Sequence, residues 1–171
     1  MLIPHGIKIY CSEITDDECN LLLDYYENNK DKLKQIDYIG TSASNVTGHE
    51  FKTFNQETIH KHCREYLKDI KEINSLNIIS QWINVYDNSG ILNIHAHTGN
   101  VAYVIYVKVP NDSAKLNFVL DAKKNSLFSD EIAISPKKNM ILMFPAEIRH
   151  YVSEYYGDEQ RISVSGNIDV D

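Results

Sequence analysis

IISQWINVYDNSGILNIHAH, residues 78–97, is the stretch whose reading decides how this chain folds. Two runs rich in Ile, Val, Trp and Tyr flank DNSG (87–90), which has the composition of a turn. The stretch therefore reads as strand, turn, strand. Side chains alternate along a strand, so His95 and His97 leave the same face about 6–7 Å apart, within reach of one ion. HKHC (60–63) has the same spacing in a helical segment, where two residues turn through about 200°. His60 and His62 therefore diverge, and a solvated helix face is expected there. His5 and His49 fall in segments that read as coil. Taken alone, an HxH pair on a strand is more often two wet surface histidines than a metal site.

Downstream the strand pattern continues as VAYVIYVKV (101–109), KLNFVL (115–120), EIAIS (131–135), NMILMF (139–144), RHYVSEY (149–155) and QRISVSGNIDV (160–170). Upstream lie two amphipathic helices. ITDDECNLLLDYYENN (14–29) opens with a capping box, Thr15 with Glu18, and carries Cys19, Leu22, Leu23 and Tyr26 on one stripe. NQETIHKHCREYLKDIKEI (55–73) begins at a possible cap, Asn55, and aligns Ile59, Cys63, Tyr66, Leu67 and Ile70. IGTSASNVTGHEF (39–51), rich in small polar residues and without periodicity, reads as a loop. About eight strands after two helices predict a mostly β fold, a sandwich or two-sheet jelly roll, with both helices packed on one sheet. No linker divides the chain, so residues 1–171 read as one domain: a helical support (1–76) and a β core (77–171).

Composition bounds the function. The chain has 171 residues, 43% hydrophobic and 24% charged, which suits an ordinary globular domain. A net charge of −7 with scattered lysines argues against general nucleic-acid binding. There is no apolar run of membrane-spanning length, and the first residues do not read as a secretory signal. Three cysteines, Cys11, Cys19 and Cys63, without CxxC spacing, point to reduced thiols in a cytoplasm.

Two further observations give the HxH pair a context. In MILMFPAEIRHYV (140–152) a strand ends at Phe144-Pro145 and another starts near His150, returning a third imidazole to the sheet. Three histidines can hold a divalent first-row metal. In QRISVSGNI (160–168), Arg161, Ser163, Ser165 and Asn167 alternate with Ile162 and Val164, so one strand face is polar. If that face points inward, Arg161 needs a carboxylate, and no Asp or Glu alternates with it to supply one. A ligand carboxylate in a bidentate fork would answer.

With these residues assembled, WINVYDNSGILNIHAHTGNVAYVIYVKVP (82–110), MILMFPAEIRHYV and QRISVSGNI resemble the Fe(II)- and 2-oxoglutarate-dependent dioxygenases. The resemblance is to the prolyl-hydroxylase-like branch and to small phage- and bacterial-type oxygenases. It rests on an ordered set: a Tyr, a turn Gly, the HxH pair, a Tyr on the next strand, Phe-Pro before a distal His, and a later Arg. It implies a double-stranded β-helix (jelly-roll, cupin-like) core, with Fe(II) bound by His95, His97 and His150. It implies that Arg161 pairs with the distal carboxylate of 2-oxoglutarate, that Tyr106 hydrogen-bonds that carboxylate and that Tyr86 lies near the cosubstrate. Asn167, closing the last motif, is grouped with these cosubstrate residues. Position 97 departs from the commonest pattern, with His in place of Asp. The implied activity is O2-dependent hydroxylation of a peptidyl or small-molecule substrate with release of succinate and CO2, in the cytoplasm of a bacterial or phage-infected cell. The 39–51 segment is the candidate lid. Core packing also accounts for Tyr86, Tyr103 and Tyr106. A three-histidine site of cupin or zinc-hydrolase type explains the histidines but not Arg161, and a catalytically inactive binding module on the same fold is the other alternative.

Overall fold

One long strand holds the architecture together. The computed structural model describes residues 7–36, 43–51, 56–120 and 130–171. In chain order the elements are β1 (Tyr10–Glu13), α1 (Asp16–Asn29), β2 (Gln35–Ile36), β3 (Ala43–Glu50), α2 (Gln56–Leu67), β4 (Leu76–His95), β5 (Val101–Lys108), β6 (Leu116–Leu120), β7 (Asp130–Ile134), β8 (Met140–Pro145), β9 (His150–Tyr155) and β10 (Arg161–Val170). All strand pairs among them are antiparallel. The first part of β4, Leu76–Tyr86, pairs with β10; its last part pairs with β9 through Gly90↔Tyr155, Leu92↔Val152 and His95↔His150. The order β1-β8-β5-β10-β4-β9-β6-β7 is thus two four- to five-stranded layers that share β4, a jelly roll.

The shared strand corrects the expectation of a DNSG turn. Asp87–Gly90 lie within β4, and the chain bends there instead of reversing. Ser89 adopts φ 62°, and register shifts follow between Gly90 and Leu92 and between Leu92 and His95. Turn-type residues supplied the positive φ that a strand needs to change partners.

Two apolar cores flank the first layer. On its outer side, Cys19, Leu22 and Tyr26 of α1 and Ile59, Cys63, Tyr66 and Leu67 of α2 join Ile83, Val85, Ile105, Ile162 and Val164. On its inner side, Tyr86, Ala102, Val104 and Tyr106 face Leu92, Leu116, Phe118 and Val152 of the second layer. Strand β5 is buried on both faces, so its Tyr106 points between the layers while Ile105 and Val107 face the helices. Tyr103 belongs to the helix-side core; its hydroxyl accepts from Gln81 Nε2 at 2.6 Å and lies over Gly166, where a Cβ would stand 2.4 Å away.

Other expectations change as well. Residues 43–50 of the supposed loop are β3, paired with β2 and with β4. Its sequence, ASNVTGHE, lacks alternation because its order comes from the ladder, not from a buried apolar face. Residues 39–42 of that segment, His5 and the Asn55 cap lie outside the described residues. Helix α2 stops at Leu67, leaving Ile70 53% exposed. His62 is buried and bonded to Tyr10 OH at 2.9 Å, because β1 packs against that face of the helix. His49 is also buried, within β3, against Tyr26. No helix among the described residues is long and apolar enough to cross a membrane.

The capping box of α1 forms as read: Glu18 N–H donates to Thr15 Oγ1 (3.2 Å) and Thr15 N–H to Glu18 Oε2 (2.9 Å). Thr58 Oγ1 of α2 donates to the other oxygen of Glu18 and joins the helices. Thr15→Ala is expected to cost about 1 kcal/mol in equilibrium denaturation, and Glu18→Ala more, because it also releases Thr58.

Candidate metal centre

Direct pairing of His95 with His150 across β4 and β9 places the two rings on one face, with centroids 4.3 Å apart. His97 arrives differently from the strand-face expectation. β4 ends at His95, and His97 stands two residues beyond it, held by its backbone N–H donating to Ala146 O at 2.8 Å. That bond ties the chain leaving β4 to the turn between β8 and β9. The ligand-capable atoms of His95, His97 and His150 lie within 4.8 Å of one another. His97 Nε2 and His150 Nε2 are 3.1 Å apart.

The backbone sets the tautomers of two rings. His95 Nδ1 faces Asn93 O at 2.8 Å, and His150 Nδ1 faces Ile148 O at 2.9 Å. A carbonyl only accepts, so each Nδ1 carries the proton and leaves an Nε2 lone pair for the centre. The His97 ring instead packs on Trp82, centroids 5.5 Å apart. Burial, reinforced by repulsion from His95, holds His97 down to about 4 and His150 down to about 3; burial also lowers His95. All three are neutral imidazoles at pH 7, the protonation state a metal requires.

A cavity of about 330 Å³ opens on these rings and extends along β10 to Arg161. Arg161 is 1% exposed, and its Nε and Nη1 have no hydrogen-bond partner among the described residues. Its Cζ sits 4.4 Å from the centre of the Tyr86 ring and 5.3 Å from that of Tyr106. The Tyr106 hydroxyl is buried and equally without a partner among the described residues. Burial raises both phenols, Tyr106 to about 12, so each keeps its proton as a donor. Two aromatic faces steady the guanidinium, but Nε and Nη1 still need an acceptor. A carboxylate fits that donor set, and a divalent cation fits the three imidazoles.

The structure thus brings His95, His97, His150, Arg161, Tyr106, Tyr86 and Asn167 to one cavity. Sequence reasoning missed Trp82 and Asn84. Both follow the period of two back from Tyr86, which was the available signal. Trp82 Nε1–H donates to Asn84 Oδ1 (3.1 Å), and Asn84 Nδ2 donates to Ser165 Oγ (3.0 Å).

Residues 80–167, just over half of the chain, match a protein-family model described as "Putative 2OG-Fe(II) oxygenase". Among solved structures, a Pseudomonas putida prolyl-4-hydroxylase is similar over 97% of this chain and 93% of its own, at 13% identity and TM-score 0.66. HygX from Streptomyces hygroscopicus, solved with nickel, 2-oxoglutarate and hygromycin B, is similar over 96% of this chain and 82% of its own (8% identity, TM-score 0.67). The non-heme alpha-ketoglutarate-dependent epimerase SnoN of nogalamycin biosynthesis is similar over 95% of this chain and 76% of its own (10% identity, TM-score 0.72). At these identities the likeness shows the fold. No curated protein matches the sequence.

Two outcomes follow from the triad. An ordinary histidine titrates near 6.5, and the folded chain refuses that proton at His97 and His150 until far lower pH. As pH falls below 6.5 the unfolded chain binds more protons than the folded one, so the metal-free protein loses stability progressively from pH 6.5 to 4. Chemical denaturation across that range measures the slope, and His150→Gln should flatten it. His150→Ala should also abolish Mn(II) binding measured by calorimetry, while His60→Ala should not alter it.

Proposed function

The chain belongs to the 2OG-Fe(II) oxygenase family, and we propose that it oxidises a peptidyl or small-molecule substrate with His95, His97 and His150 holding the iron. The family's cofactors are Fe(II) and 2-oxoglutarate, with O2 as oxidant. Bound together, they supply oxygen activation coupled to release of succinate and CO2. The observation that carries the residue assignment is the buried, unsatisfied donor set of Arg161 and Tyr106 in the same cavity as the triad. A hydrolytic three-histidine site would leave those donors without purpose.

In this reading the protein does four things. The backbone carbonyls of Asn93 and Ile148 orient two ligand rings. Arg161 and Tyr106 bind the distal carboxylate of the cosubstrate, and the Tyr86 ring packs against the guanidinium, 4.4 Å from Cζ to the ring centre. Leu92, Leu116, Phe144 and Val152 form an apolar wall on one side of the centre. One domain spanning residues 1–171 suffices for this, with 77–171 carrying the site. Hydroxylation is the simplest outcome for such a substrate, and product analysis distinguishes it from the epimerisation for which SnoN is named.

Succinate formation from 2-oxoglutarate by the Fe(II)-loaded protein is the direct test; none above the metal-free background would overturn the proposal. Arg161→Gln should weaken 2-oxoglutarate by at least about 100-fold, the loss of two charge-assisted hydrogen bonds, with Mn(II) affinity retained. A second outcome concerns charge. Three neutral imidazoles leave the full 2+ on the metal until the cosubstrate dianion arrives, so Fe(II) should dissociate far more readily without 2-oxoglutarate than with it. His97→Asp should weaken that dependence. Comparable Fe(II) dissociation constants with and without 2-oxoglutarate in the native protein would count against it.

A further inference from the structure

The polar row of the cavity continues past the metal centre, and its far end binds neither the iron nor the distal carboxylate in the reading above. β10 and β4 pair as Arg161↔Tyr86, Ser163↔Asn84, Ser165↔Trp82 and Asn167↔Ser80, so the inward side chains of β10 mark distance along the cavity. The Trp82 ring lies against His97, which sets the metal centre near the Ser165–Trp82 rung. Arg161 is four residues to one side of that rung and Asn167 two residues to the other. At about 3.3 Å per residue, Arg161 and Asn167 are about 20 Å apart along the strand. A five-carbon dianion reaching from the metal to Arg161 occupies the Arg161 side. Asn167 therefore faces whatever enters from the opposite side.

The chemistry of that end is specific. Asn167 is 6% exposed; its Nδ2 donates to Ser80 Oγ at 3.0 Å, and its Oδ1 has no partner among the described residues. In the neighbouring rungs, the Trp82 Nε1–H and one N–H of Asn84 are taken up by Asn84 Oδ1 and Ser165 Oγ. Among the described residues that line the cavity there is no Asp, Glu or Lys, and Arg161 is the one with a formal charge. With Arg161 matched by the cosubstrate carboxylate, a charged substrate group at the Asn167 end would be desolvated with no side-chain counter-ion.

We infer that Asn167 selects the primary substrate, its Oδ1 accepting a hydrogen bond from an uncharged donor, a carboxamide N–H or a hydroxyl, borne close to the carbon that is oxidised. This rests on the reading that the triad holds iron and Arg161 holds 2-oxoglutarate. It moves Asn167 from the cosubstrate to the substrate. The cavity of about 330 Å³ is shared with the cosubstrate, so the entering portion is a part of the substrate and not the whole of a large one.

Ligand-observed NMR on the Mn(II)-loaded protein, saturated with 2-oxoglutarate under nitrogen, tests this without turnover. Paramagnetic broadening by Mn(II) reports which small molecules approach the metal. The probes are acetamide, N-methylacetamide and propane-1,2-diol as neutral donors, propylammonium and guanidinium as cations, and propionate as the anion. The neutral donors should broaden in preference, and Asn167→Ala should reduce the effect about fivefold, the loss of one neutral hydrogen bond. Ser80→Ala removes the partner of Nδ2 but keeps Oδ1, and should retain the broadening. Preference for a charged probe, no broadening by the neutral ones, an unaffected Asn167→Ala, or equal loss in both variants would each overturn the inference. A separate thermal melt identifies the other failure. If 2-oxoglutarate does not raise the melting temperature of the Mn(II)-loaded protein, the iron and cosubstrate reading itself falls.

Discussion

The bend of β4 at Ser89 and Gly90 is the constraint on which the other parts depend. Before it, β4 pairs with β10 and presents Trp82, Asn84 and Tyr86 to the interior. After it, the same strand pairs with β9 and delivers His95 opposite His150. A straight strand would keep one set of neighbours, and the two layers would not close over a common space. The cost is local, a serine held at φ 62° and two register shifts. What it yields is a cavity whose opposite walls are continuous with one another through the backbone, so the three imidazoles and the guanidinium are held in fixed relation.

Electrostatics inside that cavity are lopsided in an informative way. A cation as buried as Arg161 is costly unless something answers it, and the Tyr86 and Tyr106 rings offset only part of that cost, on the order of 2 kcal/mol for a desolvated contact. The rest of its demand is left for a ligand. The triad is the converse case: neutral in itself, it would become the second positive centre once a divalent ion is held. Two positive centres in one cavity match a dianion with a carboxylate at each end better than any neutral or singly charged molecule. The same logic leaves the Asn167 end suited to a neutral group.

The parts of this site that were legible in the sequence share one property: they are local. Period-two alternation exposed the inward row of Arg161, Ser163, Ser165 and Asn167, and the same alternation joined Tyr86 to Trp82 and Asn84, although those two went unread. The capping box and the buried stripes of α1 and α2 were equally local, because a helix writes its buried face every three or four residues. The DNSG misreading is also local in origin. Turn composition records that φ becomes positive, not whether the chain reverses afterwards. β3 was invisible because its order is contributed by β4, which lies far along the chain beyond α2.

By itself, then, the sequence determined the strands from Val101 onward, the buried stripes of α1 and of α2 as far as Leu67, the inward polar row and, through the ordered Tyr, HxH, Phe-Pro-His and Arg set, the family. Those depend on periodicity and on order along the chain, both of which a single strand or helix carries. Only the tertiary structure decided that β4 is one strand serving two layers and that His97 is held from beyond its end by Ala146. It also decided that, among the described residues, Arg161 Nε and Nη1, the Tyr106 hydroxyl and Asn167 Oδ1 are buried polar atoms of the cavity without a partner. Whether a polar atom is satisfied depends on every group packed around it, and those groups come from strands that sequence order alone does not bring together.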